Sequence, residues 1–356
     1  MFWKIKFLIM FLKELFLTNF RNYDQARFKF SEGINLILGP NASGKTNLLE
    51  AIYLLSTGRS FRASKISQMI NNQSPVAHIE GAVIENSDQI KIASVLSRGE
   101  VNGQKTPLRQ FSINGLKRPR NKFVGNLLTV LFSPQDLDII TDSPSFRRRF
   151  LDDVLEQADS EYYRANLSYQ KGLRSRNRVL EQIRNGQTTP KALFFWDCLL
   201  LENGQKISKK RERLIDFINN QESEDDYRVL YQPSVLSSQK LAKQQLIEIA
   251  AGKTLSGPHR DNFLILAGNR DLTIFGSRGE QRLSVLWLRL GQLKFLERIT
   301  QKRPILLLDD IFSELDQEHR QMVMTNFIDR QTLATLAQEE TFLDYQTNLI
   351  SLKKTV

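Results

Sequence analysis

Cysteine is almost absent from this chain of 356 residues. Cys198 stands alone, which excludes an intramolecular disulfide framework and a thiolate zinc site. Histidine is nearly as scarce: His78, His259 and His319 are scattered, so no histidine-rich metal site is expected. No apolar run reaches the roughly 20 residues of a membrane span. The apolar stretch 1–16 is broken by Lys4, Lys6 and Lys13, and no small-residue cleavage site follows it. Residues 1–9 read as a mis-called start or a disordered extension, with translation beginning at Met10. Internal repeats and long heptads are lacking too, which argues against a coiled-coil tether. These absences fit a reducing cytoplasm and no membrane association.

Positive charge is what the chain has in excess, with a formal net charge of +11. Such a balance favours a polyanionic partner such as nucleic acid, or a membrane face; a merely soluble, well-charged surface is the alternative. Hydrophobic residues make up 41%, ample for a core, and the length suggests two lobes.

The run Ile34-Asn35-Leu36-Ile37-Leu38-Gly39-Pro40-Asn41-Ala42-Ser43-Gly44-Lys45-Thr46 is an apolar strand entering G-x-x-x-x-G-K-T, followed by a helical stretch over 47–55. This is a P-loop in the context that makes the motif credible. Its glycines let backbone N–H groups turn inward on phosphates. Lys45 reaches the β- and γ-phosphates, Thr46 holds Mg²⁺, and the helix sets its positive end on the anion. A chance glycine-rich turn would lack the strand, the lysine and the helix together. The chain is expected to bind a nucleoside triphosphate, ATP, along Gly39, Pro40, Asn41, Ala42, Ser43, Gly44, Lys45 and Thr46.

A second apolar strand, Pro304-Ile305-Leu306-Leu307-Leu308-Asp309-Asp310, ends in two carboxylates. Beside a P-loop this is a Walker B element: Asp309 orients Mg²⁺ and Asp310 polarises the attacking water. Alone it would be a buried parallel strand that happens to end in acids. Upstream lies Ser277-Arg278-Gly279-Glu280-Gln281, then an apolar helix over 282–299. Downstream come Ser313, Glu314, Leu315 and Asp316. Serine with glutamate three residues on is an ordinary helix cap. The order of motifs also resembles an ABC-type ATPase, whose S-x-G-x-Q signature faces the nucleotide of a second subunit. On that resemblance Ser277, Gly279 and Gln281 contact ATP across a dimer.

Strand and turn signals fill residues 10 to about 130, including 12–18 and 89–96. Helical spacing with many charges dominates from about 145 to 245, with loops at Pro190 and 219–226. The expected fold is α/β: an ABC-type P-loop ATPase head with an inserted, mainly helical lobe and no coiled coil. The head would comprise 10–135 and 246–356, and the lobe 136–245.

Several further segments resemble the RecF family of bacterial recombination-mediator ATPases. They are Leu17-Thr18-Asn19-Phe20-Arg21-Asn22-Tyr23, Gly58-Arg59-Ser60-Phe61-Arg62, Phe132-Ser133-Pro134-Gln135-Asp136-Leu137, Arg147-Arg148-Arg149-Phe150-Leu151-Asp152 and Ser256-Gly257-Pro258-His259-Arg260-Asp261. The resemblance runs over essentially the whole chain from Met10. It implies an ATP-dependent homodimer on DNA at single-strand gaps or single-strand/duplex junctions. It also implies work with RecO and RecR, help in loading RecA, support of replication and the SOS response, and slow, DNA-stimulated ATP turnover. Arg21 would turn toward the nucleotide phosphates, or else be a surface arginine on a turn. Gln135 sits where a Q-loop glutamine is expected, there to sense Mg²⁺ and couple the lobes. His259 and Arg260 brace the lobe interface.

The chain departs from transporter ATPases at Arg278, at Asp310 in place of glutamate, and in having no histidine after His319. The shorter base predicts slow hydrolysis. Basic clusters at 147–149, at Arg174, Arg176 and Arg178, and at Lys209, Lys210, Arg211 and Arg213 are expected either to meet DNA phosphates or to be solvated faces. Arg59 and Arg62 are the alternative contact. The competing reading is the ATPase subunit of an ABC-type transporter.

Overall fold

The computed structural model describes residues 8–222, 226–314, 320, 325, 329–336 and 347–353, with 313 and 314 described by backbone alone. Leu315 and Asp316, in the segment after Walker B that resembles the D-loop of ABC-type ATPases, His319 and the N-terminal residues 1–7 lie outside these. The chain divides into two compact units, Met1–Asp136 with Gln292–Val356, and Leu137–Gly291.

The first unit is built on two sheets. Five parallel strands run in the order Thr129–Phe132, Ile305–Asp309, Thr332–Leu336, Ile34–Leu38, Thr347–Ser351. Parallel strands covered on both faces need apolar side chains at every position, and the sequences TVLF and ILLLD are buried throughout. Six antiparallel strands form the other sheet, in the order Tyr23–Lys29, Met10–Phe20, Val76–Glu85, Asp88–Ser97, Arg109–Ile113, Leu116–Arg118. The helix Lys45–Thr57 touches strands of both sheets. It is therefore buried without interruption from Leu48 to Thr57, as expected of a helix with no solvent face. Gly58 ends it in a left-handed conformation, φ 68°, with its N–H on the Leu54 carbonyl, a turn that a Cβ would disfavour.

The second unit is mainly helical: Pro144–Ala158, Ser160–Arg184, Phe194–Asn219, Ser238–Ala251 and the part of Arg278–Thr300 up to Gly291. The boundary expected at 245/246 is moved by the structure to 291/292. Residues 246–291, expected in the head, include the strand Asn262–Ala267, which pairs with Tyr227–Gln232 and Arg270–Asp271 in a small sheet of the helical unit. A strand's partner is a tertiary fact that its own pattern does not carry. Among the described residues no helix is long and apolar enough to cross a membrane.

Several expected phosphate-binding arginines are structural. Arg147 is buried and donates to Asn262 and to the carbonyls of Ile139, Ile140 and Asp142. Arg148 donates to the Asp261 carbonyl. Arg176 is 1% exposed between Asp197 and Glu248. Arg211, 2% exposed, lies between Asp152 and Asp261. Lys210 is held by Asp159 and Glu161. Buried charge is tolerated only when paired, so helical spacing hid a polar core inside what read as basic faces. Arg174, Arg178, Lys209 and Arg213 remain exposed.

His259 braces this unit from within. Its Nε2 lies 3.1 Å from the Thr254 carbonyl and must donate; Nδ1 therefore accepts from the Tyr169 hydroxyl at 2.8 Å. Burial lowers its pKa to about 4, so the folded ring stays neutral where the unfolded ring, near 6.5, takes a proton. The unfolded state then binds more protons, and stability falls as pH drops from about 6.5 to about 4. The urea midpoint should decline over that window in the wild type and less steeply in His259→Gln. Equal slopes would exclude this role.

Candidate nucleotide-binding site

The two acidic and basic motifs, 263 residues apart, meet at the carboxyl end of the parallel sheet. Strand Ile34–Leu38 delivers the loop 39–44 to the helix that begins at Lys45, and strand Ile305–Asp309 ends beside it. Thr46 Oγ1 donates to Asp309 Oδ1 at 2.9 Å. Lys45 Nζ spans the loop, donating to the carbonyls of Gly39 (2.6 Å) and Pro40 (3.2 Å). Ala42 and Gly44 take left-handed φ of 66° and 106°, which turns successive N–H groups to one side, an anion-binding concavity. Ser43 Oγ is buried without a hydrogen-bond partner. A Cβ on Gly39 would stand 2.6 Å from that hydroxyl, so no larger residue fits there. Pro40 and Asn41 are exposed.

Asp309 is 7% exposed. Burial raises its pKa, an effect that the hydroxyls of Thr46 and Thr335 and the charge of Arg62 oppose. A buried carboxylate beside a threonine hydroxyl is a hard-oxygen pair with uncompensated charge, and it fits a divalent cation such as Mg²⁺, which takes one or two protein oxygens and leaves its other positions to water and phosphate. Asp310 follows in the left-handed region, φ 52°, which aspartate tolerates better than most residues. Its N–H donates to Thr335 Oγ1 at 2.9 Å, and the same hydroxyl lies 3.1 Å from Asp309 Oδ1. Thr335, on the neighbouring strand and fully buried, thus pins both acids.

Arg21 is not directed at the loop. Its Nε and Nη2 donate to both carboxylate oxygens of Glu50 at 2.8 and 2.7 Å, and Nη1 to the Gln68 carbonyl at 2.6 Å. Glu50 is wholly buried one turn into the helix and also accepts from Ser60 Oγ. A bidentate pair of this kind is strong, and it fixes the hairpin turn Arg21–Asn22 against the helix. The next two residues touch the loop instead. Tyr23 donates its hydroxyl to the Gly44 carbonyl at 3.1 Å, and Asn22, held by Asn47 at 2.7 Å, approaches the Ser43 carbonyl at 3.4 Å. A Cβ on Gly44 would meet Tyr23 Oη at 2.7 Å.

Gln135 is exposed just beyond Thr129–Phe132, the strand paired with the Walker B strand. The signature segment belongs to the helical unit. Ser277 N–H donates to Glu280 at 2.8 Å, and Ser277 Oγ accepts from Glu280 N–H at 3.2 Å. The Ser277 N–H, with Arg270, holds the Glu280 carboxyl down at about 2. Ser277, Arg278 and Gly279 face solvent, and so do Ile274 and Phe275 just before them, 71% and 66% exposed. Gln281 departs from expectation: it is buried and donates to the Leu272 carbonyl at 2.8 Å. The polar side chain three to four residues inside a cap is spent on closing the short turn behind it.

Thr335, Glu50, Asn22 and Tyr23 were not singled out by sequence. Asn22 and Tyr23 adjoin Arg21 in the sequence; a threonine in a β-rich run gives no signal.

Fold and site together define a P-loop ATPase head of the ABC and SMC class. The head domain of an Smc protein from Pyrococcus furiosus shares that fold, with a TM-score of 0.53 at 17% identity. The RecF/RecN/SMC N terminal domain model matches residues 11–351. The DNA replication and repair protein RecF of Lachnoclostridium phytofermentans is 34% identical over 94% of this chain and 95% of its own length. That of Thermoanaerobacter sp. is 33% identical over 92% and 94%. A solved structure of the recombination mediator protein RecF-ATP in the RecFOR pathway superposes with a TM-score of 0.86 at 33% identity, covering 96% of this chain and 94% of that one. The chain belongs to the RecF family of DNA replication and repair proteins.

Proposed function

We propose that this protein is an ATP-gated DNA clamp of repair and replication in the cytoplasm. It forms an ATP-dependent homodimer on gapped or single-strand/duplex junction DNA, and slow hydrolysis releases it. The observation that carries the nucleotide half is the 2.9 Å approach of Thr46 to Asp309 across 263 residues of sequence, beside a lysine already spanning the loop. A RecF structure with ATP, at 33% identity over nearly the whole chain, supports the choice of nucleotide.

Thr46 and Asp309 would hold Mg²⁺, which offsets phosphate charge when bound. Lys45 and the N–H groups of 39–46 bind and orient the phosphates. Asp310, fixed through its N–H by Thr335, is the general base, and Gln135 lies at the strand end where it would sense the site. Ser277 and Gly279, exposed at a helix N-terminus beside Ile274 and Phe275, offer a surface to the nucleotide of a second subunit. Arg59 and Arg62 or Arg174, Arg178, Lys209 and Arg213 supply phosphate contacts to DNA. The pathway named for the RecF structure supports RecR and RecO as partners, with RecA loading and the SOS response downstream. Weak ATPase activity follows from the short base at 310, and its stimulation by DNA from the resemblance to RecF. The transporter alternative has no observation in its favour.

The decisive experiment is the anisotropy of a labelled gapped duplex titrated with protein, with Mg-ATP and without nucleotide. Tight binding with ATP alone supports the clamp; equal binding in both conditions rejects ATP gating. Ser277→Arg should leave ATP affinity unchanged and abolish ATP-induced dimers in sedimentation. A dimer that survives would reject the trans contact. Thr335→Val should lower kcat about tenfold, a cost of about 1.4 kcal/mol, with Thr335→Ser near wild type. Equal loss in both variants would point to packing instead of the hydroxyl.

A further inference from the structure

The helical unit carries an exposed apolar patch that the nucleotide site and the DNA contacts leave unused. Phe194 and Phe195, in the first turn of Phe194–Asn219, are 74% and 63% exposed. Leu246 and Ile247, on Ser238–Ala251, are 80% and 60% exposed. Ala242 and Ala250 are exposed as well, so residues 242, 246, 247 and 250 make a helical stripe that faces water. A groove of about 600 Å³ joins the two helices, lined by Pro190, Lys191, Phe194, Asp197 and Gln245. At about 200 Å² per large side chain, the four large residues together expose on the order of 500 Å² of apolar surface on the two helices.

Charge selects the occupant. Lys191 lines the groove, and Lys243 stands one turn before Leu246 and Ile247, with Lys240 a turn earlier. Among the described residues none of these lysines has a carboxylate partner. The one acid in the groove, Asp197, is spent on Arg176 at 2.6 Å. A second copy would bring the same lysine rim to this face, so self-association through it is opposed. Nucleic acid could stack on Phe194 and Phe195 but would meet the Asp197 carboxylate and, at Leu246 and Ile247, side chains on which bases cannot stack. A groove between helices, with apolar contacts at intervals of one turn, suits a single amphipathic helix.

We propose that this face docks a short, acidic, amphipathic helix of a partner protein. Its apolar side chains enter beside Phe194 and Leu246, and its carboxylates meet Lys191, Lys240 and Lys243. This does not depend on the nucleotide reading.

The test is a display library of 16-residue helical peptides, selected on the full-length protein and counter-selected on Leu246→Glu. Enriched peptides should be acidic, with Leu or Phe at i, i+3/i+4 and i+7. Measured by anisotropy, their affinity should fall at least tenfold with Leu246→Glu and with Phe194→Ala, and several-fold as salt rises from about 0.05 to about 0.5 M. All altered positions are exposed, and circular dichroism of each variant confirms folding. Enrichment of neutral or basic peptides overturns the proposal. So does acidic-peptide binding that neither substitution changes, self-association abolished by Leu246→Glu, or oligothymidine binding lost with Phe194→Ala.

Discussion

Lys45→Met is expected to lower nucleotide affinity at least a hundredfold and to leave the fold in place. The ammonium already bridges the Gly39 and Pro40 carbonyls at 2.6 and 3.2 Å. It is therefore poised over the loop whose N–H groups turn inward. Methionine keeps the length of the side chain and removes three donors and the charge. A hydrogen bond to a charged group contributes about 1.5–3 kcal/mol, and about 1.4 kcal/mol is a factor of ten in affinity. Two such bonds to phosphate give the expected loss. The carbonyls released from Lys45 lie at a partly open loop, where water replaces the ammonium, so thermal stability should change little. Titration of a fluorescent ATP analogue, with circular dichroism as the control, measures both. Near-wild-type affinity would remove Lys45 from the site, and with it the P-loop reading.

The second large effect concerns stability. Asp261 is completely buried. Its Oδ2 accepts from Arg211 Nη1 at 2.7 Å and from Tyr231 at 2.6 Å, and its Oδ1 accepts from the Ser234 N–H at 2.8 Å. Arg211 is bound further by Asp152 at 2.7 Å, by Tyr162 at 3.0 Å and by the Pro258 carbonyl at 2.8 Å. Burial works against the charge of Arg211, but Tyr162, Asp152 and Asp261 outweigh it and hold its pKa above the usual value. Asp261→Ala strands three donors and half the compensation of a buried cation. Breaking a buried pair in this way costs about 3–5 kcal/mol, and the thermal midpoint should drop by about 10 °C. The double replacement Arg211→Met with Asp261→Leu should cost less than Asp261→Ala, because it removes the charge together with its partner. If the double variant is the worse of the two, shape and not charge governs the cluster.

Local pattern made the head legible. The strand before the P-loop, the helix after it and the apolar strand ending at Asp309 each carry their own signal, since burial on both faces demands unbroken apolar runs. Asn102-Gly103, an ordinary hairpin-turn pair, joins the strands Glu100–Val101 and Gln104–Lys105, with both residues left-handed at φ 50° and 77°. Side-chain partners were not legible in the same way. Arg147, Arg176 and Arg211 read as surface charge because composition counts charges and does not see what faces them. Arg21 reads as a phosphate ligand or a surface arginine on a turn, and its carboxylate partner Glu50 lies on an element 29 residues away.

By itself, then, the sequence determined the class of this protein: loop glycines, a lysine and acids at strand ends can be read wherever backbone conformation and residue type suffice. Tertiary structure alone decided which polar groups remain available. It spent Arg21, Arg211 and Gln281 internally, brought Thr335 to both acids, and left Ser277, Gly279, Phe194 and Leu246 facing solvent. The reason is that burying a polar group costs free energy unless a partner meets it. Where that partner sits depends on how distant segments pack, which no local pattern encodes.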